Sequence, residues 1–363
     1  MTAGERRLKG AAAAAVCLLL AGCSGLPTGR EMGDMALLRT MGVDTASAGV
    51  GVTGSTGPRA KGLQAEGEAA LTLAADQASL SGACLAMQGQ TDSYVFFGYV
   101  DQLLLGEELA ERGIRPVLDY FARDAQLGLG AQLWLVRGAT AREAVVSGGR
   151  EGVDSRLETL QHDSEMGAAS ITRTAGEVYT DLLEQGAAFA PALGLSGEKD
   201  DKLTQWGYGI LKEGALAGFL AGEAARGLEL LAGGPSADMM TIELPENRVS
   251  VRVVSARTHS RLVFQEDSLS ALELDCRVEV RLSEYRRAPE NRELEQLKTA
   301  VAARERARVE EALGRLRDWR ADCTGLGAKA AIACPGKWQG LREDWPECFA
   351  GVPLRLRVEV TVQ

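Results

Sequence analysis

The residue with the clearest chemistry in this sequence is Cys23, which ends a run of leucine, alanine, glycine and cysteine at residues 20–23. A run of this kind at the end of a signal peptide is a lipobox, whose cysteine sulfur receives a diacylglyceryl group. Three cations and an apolar run at residues 11–21 precede it, and this run is shorter than the roughly 20 residues that span a bilayer. We therefore predict a lipoprotein signal peptide over residues 1–22 and a lipidated Cys23 at the mature N-terminus. The alternative is a signal peptide that merely contains a cysteine.

A lipid on Cys23 would hold the protein at a bilayer. A buried CH₂ group contributes about 0.8 kcal/mol, so two acyl chains form a durable anchor where a single chain does not. Residues 23–29 are mostly small and polar, which is the composition of a flexible tether. The sequence thus predicts a folded body that stays near the outer leaflet and can dock on integral membrane proteins.

The charge balance of the chain excludes one class of partner. The 363 residues include 40 lysines and arginines against 50 aspartates and glutamates, which gives a formal net charge of −10. Nucleic-acid-binding proteins carry basic patches that neutralise phosphates, so we predict no nucleic-acid partner. An acidic body is also repelled by an anionic leaflet, so the lipid rather than surface charge should provide the anchor. The length and the balance of apolar and charged residues are those of a globular protein of two or more domains.

Cysteine and histidine are few, and their spacing does not form a metal-binding pattern. Of the seven cysteines, Cys17 leaves with the signal and Cys23 is lipidated. The others are Cys84, Cys276, Cys323, Cys334 and Cys348, with no C-x-x-C pair among them. Cys276 alternates with apolar residues, which predicts a buried thiol. The last three are close enough in sequence for one pair to form a disulfide, and free thiols fit equally well. We predict no metal site.

No group of residues has the spacing of a catalytic site. The G-x-S-x-G, H-E-x-x-H and P-loop patterns are absent. His162 and His259, the two histidines, have charged or polar neighbours, which predicts surface side chains rather than catalytic bases. Residues 49–54 spell G-x-G-x-x-G, but turn residues follow where a dinucleotide site requires a helix, which predicts a glycine-rich strand end. We therefore predict no catalytic residue and no cofactor.

Strands and helices alternate over residues 30–198, which predicts an N-terminal α/β region whose length allows two subdomains. Apolar stretches indicate strands at residues 36–43, 50–52, 94–105 and 130–136. The third of these has apolar residues in succession, as in a strand covered on both faces. Helical spacing or helix-ending residues indicate helices at residues 65–79, 107–112, 116–122, 139–146, 155–166 and 172–185.

A charged stretch at residues 198–202 is the predicted domain boundary, and the pattern changes beyond it. A hairpin is predicted at residues 206–220 and a helix at 222–232. Strict alternation at residues 249–253, 272–282 and 354–362 predicts a mostly antiparallel sheet with one buried face. An amphipathic helix at residues 289–320 would cover that face. The predicted fold class is therefore α/β (α+β), with a C-terminal domain at residues 199–363.

In their order, these features resemble one family, the Ger(x)C spore germination lipoproteins, which are the C subunits of nutrient germinant receptors. The resemblance covers nearly the whole mature chain, and it rests on the order of the motifs because no single motif is specific. The similar segments lie at residues 29–44, 97–100, 106–110, 116–124, 206–207, 227–233 and 345–362. Two positions depart from the family pattern: residues 24–28 lack the expected tryptophan, and Tyr99 stands in place of a histidine. These departures concern the contacts of two side chains and not the fold.

The resemblance implies a receptor subunit that acts without catalysis or cofactor. It implies assembly with two integral membrane subunits, A and B, in the spore inner membrane, with the lipid on Cys23 anchoring the protein on the outer, non-cytoplasmic face. A different class of function stays open, that of a lipid-anchored solute-binding protein that serves a transporter. A deep cleft lined by polar and aromatic groups would favour this alternative. A lipoprotein hydrolase, the third possibility, would need catalytic residues that the sequence does not offer.

Overall fold

The N-terminal part of the protein is organised around an eight-stranded sheet. The computed structural model describes residues 35–57, 69–165, 171–197, 202–234, 238–266, 268–332 and 334–363. The strands of this sheet are β2 (Thr40–Ala46), β3 (Gly49–Ser55), β4 (Thr72–Gln77), β6 (Gln102–Gly106), β7 (Gln132–Arg137), β8 (Ala187–Leu195), β9 (Leu203–Lys212) and β10 (Ala215–Leu220). Their order is β10-β9-β8-β7-β6-β2-β3-β4, with the four central strands parallel and both edges antiparallel. Strands β1 (Met35–Leu37) and β5 (Tyr94–Phe96) form a small second sheet.

Helices cover both faces of the central strands, as the apolar strand pattern predicted. These helices are α1 (Leu80–Gln88), α2 (Glu107–Arg112), α3 (Arg115–Arg123), α4 (Ala141–Val146), α5 (Asp154–Glu165) and α6 (Ala175–Glu184). Every residue of β6 is buried. Leu103 and Leu105 pack with α1, α3 and α6, and Leu104 packs on the opposite face with Trp134, α4 and α5. The α/β prediction for this region is confirmed.

The prediction of a helix at residues 65–79 is wrong for residues 69–79, the part that the structure describes. Residues 58–68 lie outside the part of the chain that the structure describes, and β4 follows, paired with β3. In β4 the buried residues Leu73 and Ala75 alternate with more exposed ones, which is the period of a strand. The helix begins later, at α1, where the Ser79 hydroxyl accepts a hydrogen bond from the Gly82 N–H at 3.2 Å. The G-x-G-x-x-G segment lies within β3, so its prediction as strand rather than as a nucleotide loop is confirmed.

The sheet continues across the stretch that was predicted as a domain boundary. Strands β9 and β10 form the predicted hairpin, and β8, which was not predicted from the sequence, joins them to β7. Glu213 and Gly214 turn the hairpin, both with positive φ (54° and 90°), as in a type I′ turn. Residues 198–201 lie outside the described residues, and the division between residues 198 and 199 stays a prediction.

The C-terminal part is a four-stranded sheet covered by a long helix. Its strands are β11 (Met239–Leu244), β12 (Asn247–Gln265), β13 (Ser268–Tyr285) and β14 (Leu354–Val362), in that order. Only β13 and β14 pair in parallel. The helices are α7 (Gly222–Ala232), α8 (Asn291–Asp318), α9 (Leu326–Ala331), α10 (Pro335–Leu341) and α11 (Trp345–Gly351). The apolar stripe of α8 is buried against the sheet's inner face, which confirms the prediction of a mostly antiparallel sheet covered by this helix.

A buried arginine joins helices α7 and α8. The guanidinium of Arg308, whose side chain is 4% exposed, forms ion pairs with Glu305 at 2.9 Å, with Asp238 at 2.5 Å and with Glu223. The two helices approach closely beside it, since a Cβ at Gly227 would lie only 2.0 Å from the Arg308 carbonyl oxygen.

In the described residues, no helix is both long enough and apolar enough to cross a membrane.

The charge on Glu223 should make the stability of the protein acid-sensitive. Hydrogen bonds from Arg308 and Arg304 lower the pKa of Glu223 to about 2 from its ordinary value of 4.5. A carboxylate whose pKa is lower in the folded state stabilises the fold above its ordinary pKa, and this contribution is lost as the pH falls through the folded value. Between pH 4.5 and pH 2, we expect wild-type stability to fall more steeply than that of Glu223→Gln. Urea unfolding across this range, with circular dichroism at pH 7 to check the fold of the variant, measures the difference. Equal slopes would contradict the prediction.

Candidate functional site

The predicted lipidation site lies outside the described residues. Cys23 and the tether at residues 23–29 precede Met35, where the description of the chain begins. Lipidation of Cys23 therefore stays a prediction.

The two histidines lie within the described residues, and both are exposed, as predicted. His259 lies on β12 opposite Asp275 of β13. In the described part of the chain, no group of three or more histidine, cysteine or acidic side chains could hold a metal ion.

Cys84, Cys276, Cys323 and Cys348 are free thiols, so no pair among Cys323, Cys334 and Cys348 forms a disulfide. Cys276 is buried, as predicted, and its sulfur accepts a hydrogen bond from the Thr258 hydroxyl at 3.2 Å. Burial raises the pKa of the Cys276 thiol and raises that of Cys323 well above the ordinary value. A thiol is nucleophilic as its thiolate, so this burial disfavours the reactive form.

A groove lies between the C-terminal end of α6 and the helices α9, α10 and α11. Two adjoining cavities form this groove, each of about 440 Å³. Glu184, Gln185 and Ala328 line both. The first cavity is bounded by Trp338 and Trp345, whose ring centroids lie 5.2 Å apart in an edge-to-face arrangement. The volume is within the range of small-molecule sites.

A buried carboxylate, that of Asp322, holds the wall of the groove together. Its oxygens accept hydrogen bonds from the backbone N–H groups of Leu326 and Gly327, both at 2.8 Å, and from the Trp345 indole N–H at 2.9 Å. Burial raises the pKa of Asp322, and the three hydrogen bonds oppose that shift. Residue 327 must be glycine, because a Cβ there would lie 2.2 Å from the Trp345 ring. Asp322 thus fixes Trp345 against the start of α9.

The second cavity has a charged wall built on α6. The Arg173 guanidinium lies over the Phe189 ring, 4.6 Å from its centroid, and pairs with Asp181 at 2.6 Å. Cys323 and Thr324 form the opposite wall, and the Thr324 hydroxyl is buried without a hydrogen-bond partner among the described residues. Across the groove, Arg342 donates to the Glu184 carbonyl oxygen at 3.3 Å. The groove therefore offers an aromatic surface and charged groups of both signs.

This groove is not evident from the sequence. The signal that could have found it is an aspartate followed by glycines just before a helix, at Asp322, Gly325 and Gly327, which is the composition of a side-chain cap. A smaller apolar pocket of about 330 Å³ lies between α1 and the end of α3, beside Cys84, Tyr120 and Gln126. Burial raises the pKa of Cys84 to about 11.

Two family models together match almost all of the chain. The model described as spore germination protein N-terminal domain matches residues 29–195, and the model described as spore germination B3/GerAC like, C-terminal, matches residues 207–363. A search of solved structures finds the crystal structure of the GerBC protein, with a TM-score of 0.61 and 16% sequence identity. The match covers 89% of this chain and 97% of that one, and it shows a shared fold. No curated protein matches.

Proposed function

The chain belongs to the GerAC-like family of spore germination proteins, and from this membership we propose that it is the lipid-anchored, non-catalytic C subunit of a nutrient germinant receptor. In this proposal it assembles with the integral membrane subunits A and B on the outer face of the spore inner membrane. The observation that carries the proposal is the match of both family models, in the family's order, over residues 29–195 and 207–363.

Two further observations support the proposal. The lipobox at residues 20–23 gives the folded body a route to the membrane that does not depend on its acidic surface. The groove that Asp322 holds in shape has aromatic and charged walls, which suit the binding of a partner or a solute. A protein of this kind would act through its contacts within the receptor.

Replacement of Cys23 with alanine is expected to release the protein from the spore inner membrane. The substitution removes the sulfur that carries the diacylglyceryl group, and with it the hydrophobic free energy of two acyl chains. We expect the membrane-bound fraction, measured by immunoblot after fractionation, to fall at least tenfold. Cys348→Ala, which removes a free, half-buried thiol, is the matched control and should stay membrane-bound. Unchanged membrane retention of Cys23→Ala would contradict the anchor.

Germination of spores that lack this gene tests the receptor role itself. Nutrients and a trigger that bypasses receptors are applied separately, and germination is followed by loss of optical density. Loss of the nutrient response alone would support a receptor subunit. Loss of both responses would contradict the proposal, because it would place the protein downstream of nutrient sensing.

The groove also favours a second candidate function, a lipid-anchored solute-binding protein. Its cavities have the volume of a small-molecule site, and Trp338 and Trp345 offer an aromatic wall beside the charged groups of Glu184 and Arg342. Calorimetric titration with a panel of free amino acids and monosaccharides tests this function. Heat that is lost in Trp338→Ala but kept in Trp206→Ala, a tryptophan outside the groove, would favour it.

A further inference from the structure

The outer face of the C-terminal sheet places arginine directly opposite arginine at two positions. On β12 and β13, Arg252 is the cross-strand partner of Arg281, and Arg257 is the partner of Arg277. All four side chains are exposed. Side chains that face each other across neighbouring strands have Cβ atoms about 5 Å apart, and like charges in such pairs destabilise a sheet. These two cross-strand pairs, Arg252 with Arg281 and Arg257 with Arg277, are called the two arginine rows below. The repulsion within each row reduces the stability of the isolated protein.

Three of these four arginines have no charge partner within the described chain. Arg277 forms an ion pair with Glu359 at 3.8 Å, whereas Arg252, Arg257 and Arg281 form no ion pair and no hydrogen bond with a described side chain. The Glu279 carboxylate lies between the two rows. It accepts hydrogen bonds from the Ser255 hydroxyl and the Gln363 side-chain amide. The repulsion between Arg252 and Arg281 is thus not neutralised by an ion pair with a described side chain, and that between Arg257 and Arg277 is offset only by the pair of Arg277 with Glu359.

The far end of the same strands shows how this face is arranged when its charges are paired. There Arg261, Glu273 and Arg355 form one row across three strands, and Glu273 pairs with both arginines. Alternating signs are the arrangement that stabilises a solvated sheet face. The unpaired arginines are therefore a local feature of two rows and not a general property of the face.

We propose that these two rows bind an acidic segment of a partner protein, and that this partner is one of the integral membrane subunits of the receptor. The charge is complementary, since the three guanidiniums without an ion pair form a local positive patch that attracts carboxylates. Met239, which is 52% exposed, lies opposite Arg252 on β11 and offers the segment an apolar contact. An anionic bilayer fits less well, because Glu279 and Glu359 interleave with the arginines and would face its phosphates.

This inference rests on the proposed function, and its test separates the two. The full chain is co-purified with epitope-tagged A and B subunits from detergent-solubilised spore membranes at low and high salt. We expect Arg252→Glu and Arg257→Glu to lower recovery of the subunits at least fivefold at low salt. Arg292→Glu, the same charge change at an exposed arginine on α8 without an ion pair, should have no effect. If the wild-type chain recovers neither subunit, the proposed function fails; if all variants recover them equally, the surface is wrong.

A second measurement does not depend on the receptor. Because Arg252→Glu places a carboxylate opposite Arg281, it should raise the melting temperature of the purified full chain by about 1–2 °C, while it lowers partner recovery. A fall in melting temperature would contradict the repulsion on which the inference rests. Vesicles of phosphatidylglycerol provide the remaining arm. Suppose that the vesicles bind the wild-type chain and that Arg252→Glu weakens this binding as much as it lowers the recovery of the subunits. The surface would then bind lipid, and the proposal of a protein partner would be wrong.

Discussion

Replacement of Arg308 with leucine is expected to lower the free energy of unfolding by about 3–5 kcal/mol. The change leaves the Glu305 carboxylate, which is 1% exposed, without its cation in the interior between α7 and α8. Removing one partner of a buried ion pair has an effect of this size, because the remaining charge stays desolvated and uncompensated. Burial already raises the pKa of Glu305 despite the nearby guanidinium. Urea unfolding followed by circular dichroism at pH 7 measures the loss.

Two further variants show whether the charge or the packing is responsible. Arg308→Leu combined with Glu305→Leu should recover part of the lost stability, since replacing both members of a buried pair with apolar residues is often neutral, while the less buried Asp238 stays without its cation. Arg306→Leu lies two residues away on the same helix, where the arginine side chain is 45% exposed, and should change stability by less than about 0.5 kcal/mol. If the double variant were as unstable as Arg308→Leu, the uncompensated charge of Glu305 would not be the cause.

The C-terminal domain could be predicted from the sequence because its signals are local. In β13 and β14, more buried and more exposed residues alternate over long runs, and only a half-buried strand produces that pattern. The stripe on α8 repeats at helical spacing over 28 residues, so its length alone excludes a strand. Each assignment follows from neighbouring residues and does not require knowledge of the rest of the fold.

Strand β8 was not predicted, and β4 was predicted as a helix. The conformation of both strands is determined by pairing with neighbouring strands of the sheet and not by residues close to them in sequence. Strand β8 consists largely of alanine, glycine, proline and leucine, with little preference for extended structure. Pro191 also argues against a central strand, because proline has no N–H for the neighbouring strand. Its pairing with β7 starts only at Ala192, just beyond the proline. Alanines at helical spacing led to the wrong helix at β4, where pairing with β3 decides the conformation.

The groove could not be predicted, because its contacts join residues far apart in the chain. The Asp322 carboxylate and the Trp345 indole are 23 residues apart, and Arg342 reaches the Glu184 carbonyl across 158 residues. The sequence indicates that tryptophans are buried anchors but does not indicate what they pack against. The arginine rows on β12 and β13 are only partly different: alternation places Arg277 and Arg281 on the outer face, but Arg257 shares that face with Arg252 only because the register of β12 shifts between Val253 and Ser255. Only the register makes them opposite one another.

Replacement of Asp322 with alanine is expected to lower the free energy of unfolding by about 2–4 kcal/mol. The change leaves three buried donors without an acceptor, namely the N–H groups of Leu326, Gly327 and the Trp345 indole. Each unsatisfied buried donor costs about 1–3 kcal/mol, and this loss is partly offset because a desolvated carboxylate is removed as well. The tryptophan emission spectrum should shift too, since Trp345 then loses its position beside Trp338. Asp318→Ala, at an exposed position at the end of α8, should leave both measurements unchanged.

A double-mutant cycle with Trp345→Phe isolates the contact between the carboxylate and the indole. Phenylalanine keeps an aromatic ring against α9 but has no N–H, so Asp322→Ala should be less damaging in that background. We expect a coupling free energy of about 1–2 kcal/mol, as for a buried hydrogen bond to a charged group. If the two changes were additive, Asp322 would act only on the backbone of α9, and the aromatic wall of the groove would not depend on it. A clear coupling would show that one buried carboxylate determines the shape of the groove in which a solute or a receptor partner would bind.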